Sequence, residues 1–350
     1  MRRLALAMLV VAAACSSDVP ESATCDAVEP GGSQLRSAPP PGAPADVTPA
    51  EQQVSGARLV FCADLADPYV LTVDRPIGDR FFVFGTQTAD KNIPVLITKG
   101  ILRSEKVEDA LPKLPAWAND GGSWAPSVLP RDGGFVLYYT TTDKASGRQC
   151  ISLATSDDAE GPFVDISAGP LVCPVDLGGA IDPSPFVDAD GNALLYWKND
   201  GNCCGLPTQL WVQPLASDGR SLTGAPTALL GADQSWEGGV VEAPAMASLD
   251  GALFLFYSAN AWNTPAYGIG YATCAAPTGP CTKVLDHPWL GSSDTAKGPG
   301  GQEIFLDGKD RPRMVFHAWQ GDKVGYLNGG YRSVFTAGLD VVDGHPVTTD

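Results

Sequence analysis

Four prolines, Pro68, Pro126, Pro183 and Pro244, recur at intervals of 58, 57 and 61 residues. The last three are each followed by a turn carrying Asp and Gly, "PRDGGF", "DADGNA" or "SLDGAL". Each turn leads into an apolar run that closes on an aromatic pair: Tyr138-Tyr139, Tyr196-Trp197 and Phe256-Tyr257. Asp and Gly tolerate the positive φ of tight hairpins, so each unit opens as strand, hairpin, strand. A second echo keeps step with the first. "ATSDDAEGPF" from Ala154 matches "ATCAAPTGPC" from Ala272, and Gly161 and Gly279 each lie 35 residues beyond the proline of their unit. A fifth unit starts at "GPGGQEIFLDGKDRPRMVFHAW". Strand-rich units with a period near 58 predict an all-β fold, a five-bladed β-propeller with four strands per blade. A β-sandwich would leave the equal spacing of non-adjacent units unexplained.

In a propeller the first strand of every blade lines the central channel, so residues at one repeat position face one axis. Asp67 precedes Pro68, Asp182 precedes Pro183, and Glu242 lies two before Pro244. A single Asp-Pro pair caps turns in many proteins. Three acids at matching places in three units point instead to one shared site at the mouth of the channel.

The rest of the chain narrows the setting. Its 350 residues carry a formal charge of −17, which argues against nucleic acid and anionic membrane surfaces as partners. A neutral sugar is indifferent to that charge. The N-terminus, "MRRLALAMLVVAAAC", has a basic start, an apolar core too short to span a bilayer and small residues before Cys15. Residues 1–14 read as a signal peptide and Cys15 as a lipidation site, although Ala12 stands where such signals usually carry Leu. The only membrane contact expected is through that lipid; without it the chain would be secreted. Residues 15–55, rich in Pro, Ala and Ser, read as a spacer, and 56–350 as one domain, expected as a monomer. Beyond Cys15 there are eight cysteines, an even set that suits disulfides in an exported chain. Cys274 and Cys281, flanking a turn, form the best-supported pair. With no CxxC and no histidine near a cysteine cluster, a zinc site is not indicated.

Paired carboxyl groups in opposite protonation states are what glycoside hydrolysis requires. A third carboxylate nearby can set the balance, because like charges push pKa values apart. The motifs then resemble those of glycoside hydrolase family 43. "ADPYVL" looks like its first-blade motif, "WAPSV" its second, "AIDPSPF" its third, "VVEAPAM" its fourth and "GPGGQEIF" its fifth, with "SDDAEGPF" as a blade-edge segment. The resemblance runs from about Asp64 to the C-terminus in the family's order. It implies Asp67 as general base, Glu242 as general acid, Asp182 as pKa modulator, and an inverting mechanism. It also implies arabinan, arabinoxylan or related oligosaccharides as substrate.

One departure stands out. The family's fifth-blade motif usually has His after Gly-Pro-Gly, where it often helps hold a cation; here Gly301 and Gln302 follow. No calcium or other metal site is therefore carried over, no cofactor is required, and Gln302 is read as a substrate-binding residue that accepts a hydrogen bond in the histidine's place. His317 reads as structural, and His287 and His345 carry no motif. Trp124 is the first candidate for a sugar-stacking wall, with Phe186 and Trp236 behind it. The chain has no room for the C-terminal β-sandwich of many xylosidases in the family, which favours arabinose-containing substrates. A non-catalytic propeller that binds glycan or protein is the alternative. A sialidase-like propeller would carry repeated Ser-x-Asp-x-Gly-x-x-Trp boxes, which are absent from the sequence.

Overall fold

The computed structural model describes residues 57–73, 80–99, 104–131, 133–294, 296–320 and 323–349. The signal-like segment, Cys15 and the spacer lie outside the described residues. The described chain forms twenty strands and four short 3₁₀ turns, arranged as the five-bladed β-propeller that the repeat predicts.

Strand β1 (Arg58–Phe61) precedes the first blade. That blade is β2 (Tyr69–Val73), β3 (Arg80–Phe84), β4 (Pro94–Lys99) and β5 (Ser104–Asp109), paired in chain order. The second holds β6 (Trp124–Arg131), β7 (Gly134–Thr142) and β8 (Gln149–Ser156). It departs from the expected four strands: its fourth place is a single bridge between Thr155 and Val164. The third blade is β9 (Ala180–Val187), β10 (Ala193–Asn199), β11 (Gln209–Pro214) and β12 (Thr227–Gly231). The fourth is β13 (Val241–Leu249), β14 (Ala252–Ala259), β15 (Gly268–Cys274) and β16 (Cys281–Lys283). The fifth is β17 (Ala296–Leu306), β18 (Pro312–Gln320) and β19 (Arg332–Val342), whose outer edge two strands share. β1 pairs with residues 334–336 of β19, and β20 (His345–Thr349) with residues 338–342. Residues before the first blade thus complete the last one and close the ring.

The repeated aromatic pair has a packing reason. Side chains alternate across a strand, so the two rings of each pair enter the cores on opposite sides of their blade. Tyr138 packs between blades two and three and Tyr139 between blades one and two. Trp197 and Tyr196 divide in the same way, as do Tyr257 and Phe256. A fifth core, including Val70, Val83, Phe305 and Val315, joins the last blade to the first. The turn chemistry also holds: Asp250 and Gly251 connect β13 to β14 with φ of 49° and 75°, as a two-residue hairpin demands. Cys274 and Cys281 face each other across β15 and β16 and are joined as a disulfide. Cys150 is joined to Cys173, and Cys203 to its neighbour Cys204.

Candidate active site

Each blade bends its innermost strand at the same point. Asp67, Ala125, Asp182, Ala243 and Gly301 have φ of 50°, 44°, 56°, 49° and 58°. Four are non-glycine residues in the left-handed region directly before proline, a conformation that costs on the order of 1–3 kcal/mol each. Register shifts mark the bend in blades two to five, as bulges that re-aim a side chain do. The bend turns these five residues toward the axis, where they ring a narrow throat with Glu303.

The preceding blade holds each bent backbone. Five residues at one position on or just past the second strands, Thr86, Thr140, Lys198, Ser258 and His317, form a polar ring around the axis. Four of them accept the bent residue's N–H from the next blade. Thr86 Oγ1 accepts from Ala125 (3.0 Å), Thr140 Oγ1 from Asp182 (3.3 Å), Ser258 Oγ from Gly301 (2.9 Å) and His317 Nδ1 from Asp67 (3.0 Å). Lys198 breaks the series, because an ammonium has no acceptor. The Asp182 carboxylate takes over and accepts the Ala243 N–H at 2.8 Å. Lys198 instead donates to Glu242 Oε2 at 3.0 Å.

This frame corrects one reading of the repeat. Asp67 and Asp182 are true equivalents, whereas Glu242 stands one residue earlier, in the row of Trp124, Ile181 and Gly300 that faces the polar ring. All three acids nevertheless line one pocket of about 660 Å³, together with Trp124, Trp262, Tyr267 and Arg332.

The model of Glycosyl hydrolases family 43 matches residues 59–345. The chain belongs to this family. It is 28% identical over 212 residues to the β-D-galactofuranosidase xynD of Aspergillus niger, covering 57% of this chain and 58% of that one. It is also 28% identical over 300 residues to the probable arabinan endo-1,5-α-L-arabinosidase A of Aspergillus niger, covering 77% and 88%. To the extracellular endo-α-(1→5)-L-arabinanase of Thermotoga petrophila it is 28% identical over 163 residues, and the match spans only 33% of that protein. Among solved structures, a thermostable family-43 glycoside hydrolase superposes with a TM-score of 0.73 at 26% identity, over 85% of this chain and 96% of that one.

The site has two unlike halves. Around Lys198 lie three carboxyl groups: Glu242 at 3.0 Å, Asp200 at 3.7 Å, and Asp182. Burial alone would lower the Lys198 pKa, but Glu242, Asp182 and Asp200 outweigh it and raise it. One ammonium cannot offset three anions. Withdrawal from water, then the charge of Glu242, pushes Asp182 up to about 8, with Lys198 opposing. Asp200 is raised as well, chiefly by burial. Glu242 also accepts a hydrogen bond from the Tyr267 hydroxyl at 2.7 Å.

On the other half Asp67 accepts from Thr86 Oγ1 at 2.5 Å and lies 3.8 Å from Arg332 Nη1. Arg332 is fixed by three rings, Trp262, Tyr326 and Trp319, at 4.8, 5.5 and 5.8 Å, and donates to the Tyr326 hydroxyl. His317 stays neutral: burial and then Arg332 hold its pKa well below the usual value. Gly301 makes room for it, since a Cβ there would sit 2.6 Å from the imidazole and 2.7 Å from Asp67 Oδ1.

The structure separates the proposed sugar contacts. Trp124 lines the pocket. Phe186 instead packs edge-on against Tyr196, and Trp236 lies tilted against Tyr257, both half-buried against the core between blades three and four. Gln302 lies in the throat with both amide ends engaged, by Ser258 Oγ and the Ala243 carbonyl, each at 2.6 Å. It binds blade four to blade five rather than facing the pocket. His317, read as structural, touches Asp67. The throat is lined by the carboxyls of Asp67, Asp182 and Glu303 and by Gln302, whose amide is already engaged; His317 accepts the Asp67 N–H through Nδ1, and its buried Nε2 has no hydrogen-bond partner among the described residues. The grouping of Asp143, Cys150 and Cys173 is no metal site, because its two cysteines form a disulfide.

Sequence reasoning missed Lys198, Tyr267, Trp262 and Arg332. Lys198 had one signal: a lysine inside the run "ALLYWKN", every residue of which is buried. The others sit beyond the repeated motifs.

Proposed function

We propose that this chain is an exported glycosidase that hydrolyses arabinose- or xylose-containing glycans with inversion at the anomeric carbon. The observation that carries the proposal is the pocket itself, which carboxyl groups from three blades line, those of blades three and four gathered around one buried ammonium and that of blade one apart from it. In this reading Asp67 is the general base, Glu242 the general acid and Asp182 the group that tunes it. Water enters beside Asp67, whose carboxylate removes a proton as the oxygen attacks. Thr86 and Arg332 keep that carboxylate oriented. The lysine-centred half retains a proton near neutral pH because three acids share one cation. Glu242, hydrogen-bonded by Lys198 and the Tyr267 hydroxyl, delivers it to the leaving oxygen, and Asp182, whose own pKa is pushed up to about 8, stands beside it as the group that tunes the site. Inversion needs the two working carboxyls roughly 6.5–9.5 Å apart, so that a water fits between sugar and base. The substrate class draws support from relatives named as arabinanases. Export, with lipid on Cys15, draws support from the N-terminal sequence and from a relative named as extracellular.

A furanose reading wider than arabinose is favoured by one observation, the similarity to a β-D-galactofuranosidase. A panel of 4-nitrophenyl α-L-arabinofuranoside, β-D-xylopyranoside and β-D-galactofuranoside, with early product followed by NMR, tests the proposal. Turnover of a pentoside with inverted product is the expected result. Retained configuration would make Asp67 a nucleophile, and no turnover at all would favour a glycan-binding propeller.

A further inference from the structure

The pocket wall contributed by blade three contains a feature that the acid-base chemistry does not use. Beyond Lys198 the chain leaves β10 through Asp200, Asn202 and Cys203, all of which line the pocket. Cys203 is joined to Cys204, so two adjacent residues are closed into one small covalent ring. Cys203 is exposed and Cys204 half-buried. Asp200 and Asn202 on this wall are polar, whereas the paired sulfurs offer an apolar, polarizable surface.

The loop that carries the disulfide is held from several sides. Asn199 donates to the carbonyls of Leu177 (3.0 Å) and Pro207 (2.9 Å), and its own side-chain carbonyl accepts from Trp211 Nε1 (3.2 Å). Gly201 lets the loop double back: a Cβ there would lie 2.2 Å from the Pro207 oxygen. Arg148, from blade two, brings Nη1 within 3.6 Å of Cys203 Sγ and 2.6 Å of Cys204 Sγ. A loop tied at both ends and closed at its tip loses little freedom when a ligand arrives, which favours tight contact.

We propose that the Cys203–Cys204 disulfide is a wall of the sugar subsite, packing against the C–H face of the pentose held beside Asp182 and Glu242. A sugar ring has an apolar face and a hydroxyl-bearing edge. The hydroxyls find Asp200, Asn202 and the charged groups around Lys198, and the C–H face needs an apolar, polarizable surface such as the paired sulfurs. Bound this way, the disulfide contributes to sugar binding in ground and transition states alike. The inference rests on the glycosidase reading above.

The test is Cys203→Ser/Cys204→Ser, assayed on whichever 4-nitrophenyl pentoside the unaltered enzyme hydrolyses. Losing a uniform apolar contact raises KM by roughly 5- to 10-fold and leaves kcat within about two-fold. An unchanged KM in an active variant overturns the disulfide wall and leaves the glycosidase reading standing. An unaltered enzyme that turns over no glycoside of the panel overturns both. A second measurement leaves the loop intact, in case the double variant misfolds. Glu242→Gln enzyme is treated with tris(carboxyethyl)phosphine and iodoacetamide, with and without arabinotriose or xylotriose, and its peptides are weighed. A bound sugar should slow labelling of Cys203 and Cys204 by about three-fold or more, while Cys274 and Cys281 label at their former rate. Equal rates with and without trisaccharide overturn the proposal.

Discussion

The two halves of the pocket use the same scaffold position to opposite ends. On one side the polar ring supplies Lys198, beside which stand Asp182 of the same blade and Glu242 of the next. On the other it supplies a neutral His317, and the next blade answers with Asp67 alone. The first half is crowded with like charges and withdrawn from water, so it holds a proton. The second is open, its acid a quarter exposed, and meets solvent. An enzyme that must both donate and accept a proton needs this asymmetry. The propeller supplies it by changing one side chain per blade on a common bend.

The largest effect should follow loss of the open half. Asp67→Asn removes the acceptor for the water proton whatever group is leaving. We expect kcat to fall by about 10³–10⁴-fold on aryl glycosides and natural oligosaccharides alike. Steady-state rates on both substrate types decide it. A loss confined to one type would contradict the role. Glu242→Gln strikes the other half and should discriminate between leaving groups. A drop of about 10²–10³-fold is expected on arabino- or xylo-oligosaccharides, and of less than about ten-fold on 4-nitrophenyl glycosides, which leave without a proton. Equal losses on both would place Glu242 outside proton donation.

That these two residues share one pocket was legible in the sequence, and the reasons bear on what was not. The 58-residue period survives because every blade needs a turn and an aromatic pair to fill the cores on either side. Any residue sharing that period is therefore visible, Asp67 and Asp182 among them. Glu242 came through although it stands one residue out of frame, because both rows reach the same pocket. The polar ring escaped notice for a physical reason. Its members, Thr86, Thr140, Lys198, Ser258 and His317, act on the following blade, a partnership no local pattern records. Phe186 and Trp236 misled because an aromatic that stacks on sugar and one that fills a core look alike in sequence. The missing fourth strand of blade two, reduced to the Thr155–Val164 bridge, was likewise invisible to a count of repeats.

A third substitution sharpens the comparison by making the charged half resemble its neighbours. Lys198→Thr puts at blade three the residue type that blades one and two carry at this position. It removes the cation, so nearby acids should hold their protons to higher pH. The alkaline limb of the kcat/KM profile, where the acid is lost, should move up by about one pH unit, with a rate loss of about 10–100-fold. A lowered rate with an unmoved limb would reduce Lys198 to packing.

The smallest effect concerns stability and separates the halves without reference to substrate. Asp182 is raised to about 8 by withdrawal from water and then by Glu242, and Glu303 to about 8 by withdrawal from water, with Asp182 adding to it. In the unfolded chain both would titrate near their ordinary values, about 4. Below pH 4 both states are protonated, and the stabilising contribution is fully present. Between pH 4 and 8 the unfolded chain gives up these protons while the folded chain keeps them. Stability therefore falls as pH rises through that window and levels off above about 8. His317 adds nothing of the opposite sense in the upper part of the window, because burial keeps it neutral there. The unaltered protein should lose roughly 3–6 °C of Tm between pH 5 and 8.5 beyond what an Asp182→Asn/Glu303→Gln variant loses. Both replacements are neutral at every pH, and the Glu303→Gln amide keeps a carbonyl that can accept from Ser184, the hydroxyl that now donates to Glu303. The difference between the two melting curves therefore isolates the two carboxyls. Parallel curves would mean that they ionise in the folded state as freely as in water. The proton-holding half would then lose its physical basis, while the Asp67 half of the argument would stand.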